Sequence, residues 1–287
     1  MYQPVTTGID GSAASLAAAA WAAREAELRG TPLCLVAAWP AADGSADGTA
    51  EAAARRRWAT RSLELAADRL RHRHPRLDIR TQLSSAPPLR ALLAAGGAAD
   101  LLVLGSRGLG CMSAPLLGST GAQAAARADF PITLVRPAPD PGEPPDGPVL
   151  LALDAERHPD DTVTAFAFEA AALHGIPLRA LHVWTPSGPA RSYPVVPRRH
   201  GHAARASHAE RELTEYLLPW REKFPNVRVE ELCFQDVPAG AVAAATRHAA
   251  LAVLGHRVRP AAGPGLGAVA QVAVREAPCP VTLVPHS

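Results

Sequence analysis

The stretch best equipped for chemistry is Gly105-Ser106-Arg107-Gly108, followed after nine residues (Leu109 to Leu117) by Gly118-Ser119-Thr120. Glycines reach positive φ and let a backbone approach a ligand closely. A helix opening after Gly118 offers free N–H groups and the positive end of a dipole, which suits an anion. The Ser119 and Thr120 hydroxyls add donors for phosphate oxygens. The plainer alternative is a flexible loop in which Ser119 is an ordinary helix cap. Glycines at both ends of a long excursion favour the ligand. A second candidate is Asp10-Gly11-Ser12, closing the first apolar run. Its carboxylate either meets a ligand or caps the helix that follows. No Gly-Lys-Ser/Thr follows the glycines, so this is not a Walker loop, and no GxGxxG follows the first strand.

Such residues need a frame. Short apolar runs predict strands near 4–9, 32–38, 77–82, 101–105 and 131–135, and helical patterns fall near 12–28, 51–72, 86–95 and 119–128. Alternating strands and helices, with buried runs such as Leu101-Leu102-Val103-Leu104, predict a parallel sheet covered on both faces. The pattern then recurs. Val5 to Asp10 reappears as Val149 to Asp154, and Gly30-Thr31-Pro32-Leu33 as Gly175-Ile176-Pro177-Leu178. Val103-Leu104-Gly105 returns as Val253-Leu254-Gly255, and Pro131 to Val135 as Pro280 to Val284. Four echoes in one order indicate tandem duplication. Strands in the second copy are predicted near 148–153, 178–184, 227–233, 251–255 and 280–284. Between the copies, residues 139–146 are too rich in proline for a sheet interior or a helix and read as a stiff linker. The expected domains are 1–138 and 147–287.

The spacing G-x2-G-x9-G-[S/T] after the fourth strand resembles the ATP-binding members of the universal stress protein family. Gly105, Gly108, Gly118 and Ser119 carry the match. The Val5 to Ser12 opening and the closing strands after Phe130-Pro131 and Cys279-Pro280 are similar to that family too. The resemblance implies an α/β fold of two tandem doubly wound domains. Each would be an open five-stranded parallel sheet, order 3-2-1-4-5, with helices on both faces. Strands one and four are then neighbours, and their carboxyl ends form the crevice where open α/β sheets bind ligands. The resemblance further implies ATP, with magnesium as its optional companion. Asp10, with Gly11 and Ser12, would meet the ribose, and the backbone around Ala38 the adenine. Gly105, Gly108, Gly118 and Ser119 would hold phosphates. Thr120 and Arg107 are secondary candidates: the family's second hydroxyl often falls where this chain has Gly121, and a solvated arginine is the plainer account of Arg107.

The second copy departs from the pattern. Val258 replaces the second glycine, and a β-branched residue resists positive φ. Ala268 replaces the phosphate-facing serine, the loop from Val258 to Gly267 is one residue shorter, and Asp154-Ala155-Glu156 replaces Asp10-Gly11-Ser12. A lost or weakened site is expected there. The fifth strands, Ile132 to Val135 and Val281 to Val284, are edges open to pairing between copies or chains. His72 and His74 are expected to complement a helix C-terminus, and His200, His202 and His208 to lie in or just after a long loop. Residues 51–71 read as an amphipathic surface helix.

Composition bounds the function classes. Lys+Arg 29 against Asp+Glu 27 leaves +2, with no footprint for nucleic acid or an anionic membrane. No signal peptide, membrane span or metal-ligand cysteine spacing is evident, so a cytoplasmic protein is expected. The leading expectation is a regulatory stress-response protein, switched by ATP in its conformation or in its contacts with a protein partner or a second copy in a homodimer. A structural module without nucleotide and a slow ATP hydrolase are the alternatives. Against hydrolysis stands the lack of a convincing general base, a Walker-type lysine or dedicated metal carboxylates, so no catalytic residue is assigned.

Overall fold

Leu101 to Leu104 are all buried, as a central strand covered on both faces demands. The computed structural model describes residues 3–40, 50–106, 120–137, 146–153, 160–184, 199–257 and 265–286, with backbone only for 199–206. Copy one runs β1 (Val5–Gly8), α1 (Ala13–Arg29), β2 (Leu33–Ala38), α2 (Ala50–Arg73), β3 (Ile79–Ser84), α3 (Pro88–Gly96), β4 (Leu101–Gly105), α4 (Thr120–Ala125) and β5 (Ile132–Val135). Copy two runs β6 (Val149–Leu153), α5 (Asp161–His174), β7 (Leu178–Trp184), α6 (Arg199–Lys223), β8 (Val229–Gln235), α7 (Pro238–Ala245), a 3-10 turn, β9 (Leu251–Arg257), α8 (Ala268–Glu276) and β10 (Val281–His286).

Local chemistry sets several boundaries. Ser12 caps α1 by accepting from the Ser15 N–H, and Asp160 caps α5 by accepting from Thr162. Both helices end on a left-handed glycine, Gly30 and Gly175, each at φ 64°, where only glycine is free of strain. The proline starts of α3 and α7 use a ring whose fixed φ suits the first turn.

All ten strands form one sheet, in the order β3-β2-β1-β4-β5-β10-β9-β6-β7-β8. Each copy therefore has the expected 3-2-1-4-5 order. Every pairing within a copy is parallel. The β5–β10 seam is antiparallel, with Thr133 opposite Thr282. The two fifth strands thus pair with each other, one of the two arrangements open to them. At the seam the Thr133 and Thr282 hydroxyls lie 2.8 Å apart, both residues buried. Arg136 donates to the Val274 carbonyl at 3.0 Å and to that of Arg275, covering exposed acceptors at the end of α8.

On one face α1 meets α5. Glu25, only 2% exposed, accepts from Arg29 Nε at 2.7 Å and lies 2.8 Å from His174 Nε2. Arg29 also rests over the Phe166 ring. Burial alone would raise the Glu25 pKa, but the His174 hydrogen bond and the Arg29 charge outweigh it and hold the carboxyl below its ordinary value.

Some elements differ from expectation. α4 is shorter than the predicted 119–128, closing in turns after Ala125. His200, His202 and His208 belong to α6 rather than a loop, and His208 pairs with Glu212 one turn on, at 3.1 Å. His72 lies in the last turn of α2 with its Nδ1 2.7 Å from the Asp68 carbonyl one turn back, whereas His74 reaches across to Glu27 of α1 at 2.7 Å. β9 and β10 each run two residues past the predicted ends. No helix among the described residues is long and apolar enough to cross a membrane.

Candidate functional site

In copy one, β1 lies between β2 and β4, in register Val5 with Leu101 and Thr7 with Val103. The chain leaves β1 toward α1 on one face and leaves β4 toward α4 on the other. In open α/β sheets, diverging exits of this kind mark the place where ligands bind.

Asp10 is exposed at its rim, and its Oδ1 accepts from the Ser12 N–H at 3.0 Å. Ser12 Oγ in turn accepts from Ser15 N at 3.2 Å, and Ser15 Oγ donates back to the Ser12 carbonyl at 2.9 Å. Asp10 thus braces the capping turn without being the cap itself. The first turn of α1 carries no acidic residue, leaving its positive end available to an anion. Gly11 sits at φ 72°, and a Cβ there would fall 3.0 Å from Cζ2 of Trp58 on α2. Glycine is required twice over at this position. Trp58, 55% exposed, borders the rim. Sequence reasoning missed it, because helical spacing alone does not say which flank of α2 meets the first loop.

Gly105 closes β4. A Cβ there would lie 2.5 Å from the Ala14 carbonyl carbon and 2.8 Å from Ser15 N, both backbone atoms. The glycine lets the start of α1 press directly onto the end of β4. Ser106 N still donates to Val135 at 2.7 Å. Thr120 is the first residue of α4 and half-buried, and a Cβ on Gly121 would be 3.5 Å from the Gly105 carbonyl oxygen. The two ends of the glycine-rich excursion therefore return to one spot. Ala38, half-buried, ends β2 opposite Ser84. Structure thus brings Asp10, Gly11, Ser12, Gly105 and Thr120 to one end of the sheet. Arg107, Gly108, Gly118 and Ser119 lie outside the described residues.

Copy two is built differently at the matching place. Gly255-His256-Arg257 continues as strand, pairing in parallel with Val284-Pro285-His286. A Cβ at Gly255 would meet the His286 imidazole at 2.9 Å and Val163 at 3.3 Å. A side chain fills the space where copy one has helix backbone. His286 Nδ1 stands 3.9 Å from Oδ2 of Asp160, the cap of α5. Nearby, Thr164 and Tyr216 hydroxyls are 2.7 Å apart, and Tyr216 also donates to Asp161 at 3.1 Å. Burial first, with the Asp161 charge adding, pushes the Tyr216 phenol up to about 12. His256 is buried on the other face, and burial lowers its pKa against a hydrogen bond to the Ala126 backbone.

An open, doubly wound α/β sheet repeated in two tandem copies defines the class of protein. The chain belongs to the universal stress protein family, whose pattern matches residues 1–136 and again 147–285. It is 31% identical over 289 residues to a universal stress protein of Mycolicibacterium smegmatis (strain ATCC 700084 / mc(2)155), covering 98% of this chain and 96% of that one. A universal stress protein of Mycobacterium tuberculosis (strain ATCC 25618 / H37Rv) is 28% identical over 305 residues, covering 99% and 97%. The crystal structure of a universal stress protein from Archaeoglobus fulgidus DSM 4304 shares the fold, with a TM-score of 0.71 at 15% identity, covering 99% of this chain and 97% of that one.

Proposed function

We propose that copy one, residues 1–138, binds an adenine nucleotide, ATP foremost, and that the protein acts as a regulator whose conformation or partner contacts follow nucleotide occupancy. The observation that carries this reading is the convergence of Asp10, the first turn of α1, Gly105 and Thr120 at the switch point. These groups suit the ligand. Asp10 accepts from ribose hydroxyls, the N–H groups of the α1 start favour negative charge, and the chain around Ala38 offers backbone atoms to a base. Magnesium, where it accompanies the phosphates, would neutralise part of their charge. With a buttressed rim and no assigned base, the site holds nucleotide rather than turning it over.

Copy two, 147–287, serves as a scaffold in this proposal. Its crevice holds the His286 ring beside Asp160, and the residues that would open a loop extend a strand instead. Equilibrium dialysis of the full chain at saturating ATP is expected to give one nucleotide per chain. Two equivalent nucleotides refute the scaffold role, and none refutes the binding.

A further inference from the structure

We propose a second ligand site at the outer edge of copy one, where the groove between the end of β2 and the first half of α2 takes a small molecule bearing two or more linked phosphates. The groove encloses about 820 Å³ and is lined by Trp39, Arg56, Arg57, Thr60, Arg61 and Glu64. That volume suits a nucleotide-sized molecule. Arg56, Arg57 and Arg61 make no ion pair among the described residues, whereas Arg55 on the same helix pairs with Glu51 at 3.4 Å and Arg71 with Asp68 at 3.2 Å. Arg57 and Arg61 stand one turn apart, a spacing at which like charges repel. A bound polyanion turns that repulsion into attraction.

Arg56 is laid over the Trp39 ring, 5.5 Å from its centroid. A guanidinium held near an aromatic ring makes no hydrogen bond to it through its fork, and the same fork grips phosphate oxygens in pairs. With Arg56, Arg57 and Arg61 lining the groove, the ligand is recognised first by the charge of its phosphates. The groove is separate from the crevice: Trp58 and Ser62 on the opposite flank of α2 face Gly11. The corresponding place in copy two has the other sign. A groove of about 420 Å³ between α6 and β8 is lined by Glu210 and Glu231, and Glu231 is already engaged by Arg221 at 2.7 Å and Thr214 at 2.6 Å. Duplication gave the two copies matching helices, and only copy one arms its outer edge with cations.

Inorganic tripolyphosphate is the probe, titrated into the full chain carrying Gly108→Val so that the crevice contributes little, with calorimetry and tryptophan fluorescence as readouts. Saturable binding is expected, with orthophosphate weaker by about tenfold or more because it engages fewer guanidinium forks. Arg57→Ala with Arg61→Ala is expected to weaken tripolyphosphate by a further tenfold or so at unchanged melting temperature, both side chains being exposed. ADP binding in parallel with pyrophosphate identifies the phosphate chain alone as the ligand. ADP binding more tightly shows that the nucleoside adds contacts to the phosphate site; either result fits the site provided the double substitution weakens it about tenfold. Absence of saturable binding, indifference to the double substitution, or binding that appears only when Gly108 is restored overturns the proposal.

Discussion

The two crevices begin from the same strands and end with different fillings. In copy one the glycine at the end of β4 admits helix backbone, and the start of α1 lies open beside an exposed Asp10. In copy two the equivalent Gly255 admits a side chain, His286, and β9 keeps its ladder with β10 for two more residues. On the proposed reading, a duplicated domain gives up a site without giving up its fold. Strand extension and one imidazole occupy the space, and the sheet beneath is unchanged. The α1–α5 contact diverges in the same way. Glu25 and Arg29 of copy one occupy the positions that Ala170 and His174 hold in copy two. The α1–α5 contact is thus asymmetric, with the carboxylate supplied by α1 alone.

The comparison can be tested most forcefully at Glu25. Replacing it with alanine strips the shared acceptor from His174 and Arg29 and is expected to cost about 3 kcal/mol, the lower end for a broken buried pair since both partners keep some solvent. Chemical denaturation checks this against Ala170→Gly, a helix-propensity loss of about 1 kcal/mol. The depressed Glu25 pKa adds a pH signature. Its stabilising contribution is present above the unfolded value near 4.5 and is lost as pH falls through the lower folded value. Glu25→Gln should flatten the acid limb of the stability curve; a parallel limb would show that Glu25 is not the titrating group.

Next in size is a pair of glycine substitutions. Gly105→Ala forces a methyl against the Ala14 backbone and is expected to cost about 2 kcal/mol. Gly255→Ala meets the far edge of the His286 ring, which can turn aside, and Val163 at a looser 3.3 Å, and should cost under about 1 kcal/mol. Equal losses in thermal melts would erase the proposed difference between the crevices. Gly108→Val imports into copy one the residue that copy two carries. Where a phosphate loop needs the freedom of glycine, a valine costs about 1–3 kcal/mol, which corresponds to roughly five- to more than a hundredfold in ATP affinity. Calorimetry giving unchanged affinity in a folded variant would remove Gly108 from the phosphate site. Smallest of all is Thr133→Val. It removes one seam hydrogen bond and leaves Thr282 buried without it, an expected loss of about 1 kcal/mol in denaturant unfolding.

Much of this was legible in the sequence. Apolar runs announced the central strands, because buried parallel strands need continuous hydrophobic stretches, while the edge strands β3 and β8, polar and largely exposed, were legible from their place in the strand–helix alternation. The glycine spacing pointed to the end of β4. What spacing could not convey was three-dimensional proximity. Gly105 stood out as a phosphate contact, yet its nearest neighbour is the Ala14 carbonyl, some ninety positions away in sequence. The extra residues of β9 and β10 went unseen for a related reason. His256, Arg257, Pro285 and His286 have no strand propensity to speak of, and they are drawn into the ladder by each other. The α2 arginines looked like an ordinary solvated face until Trp39 and the end of β2 were placed beside them.

The antiparallel seam has one more consequence. Three residue pairs join β5 to β10, a short ladder for an interface between separate chains, and the Arg136–α8 and Glu25–His174 contacts extend it. Carried on one polypeptide, the second strand is presented to the first at a local concentration on the order of millimolar. The covalent chain thereby does what an extensive interface does in an oligomer, and with the seam closed the two copies are expected to melt in a single transition.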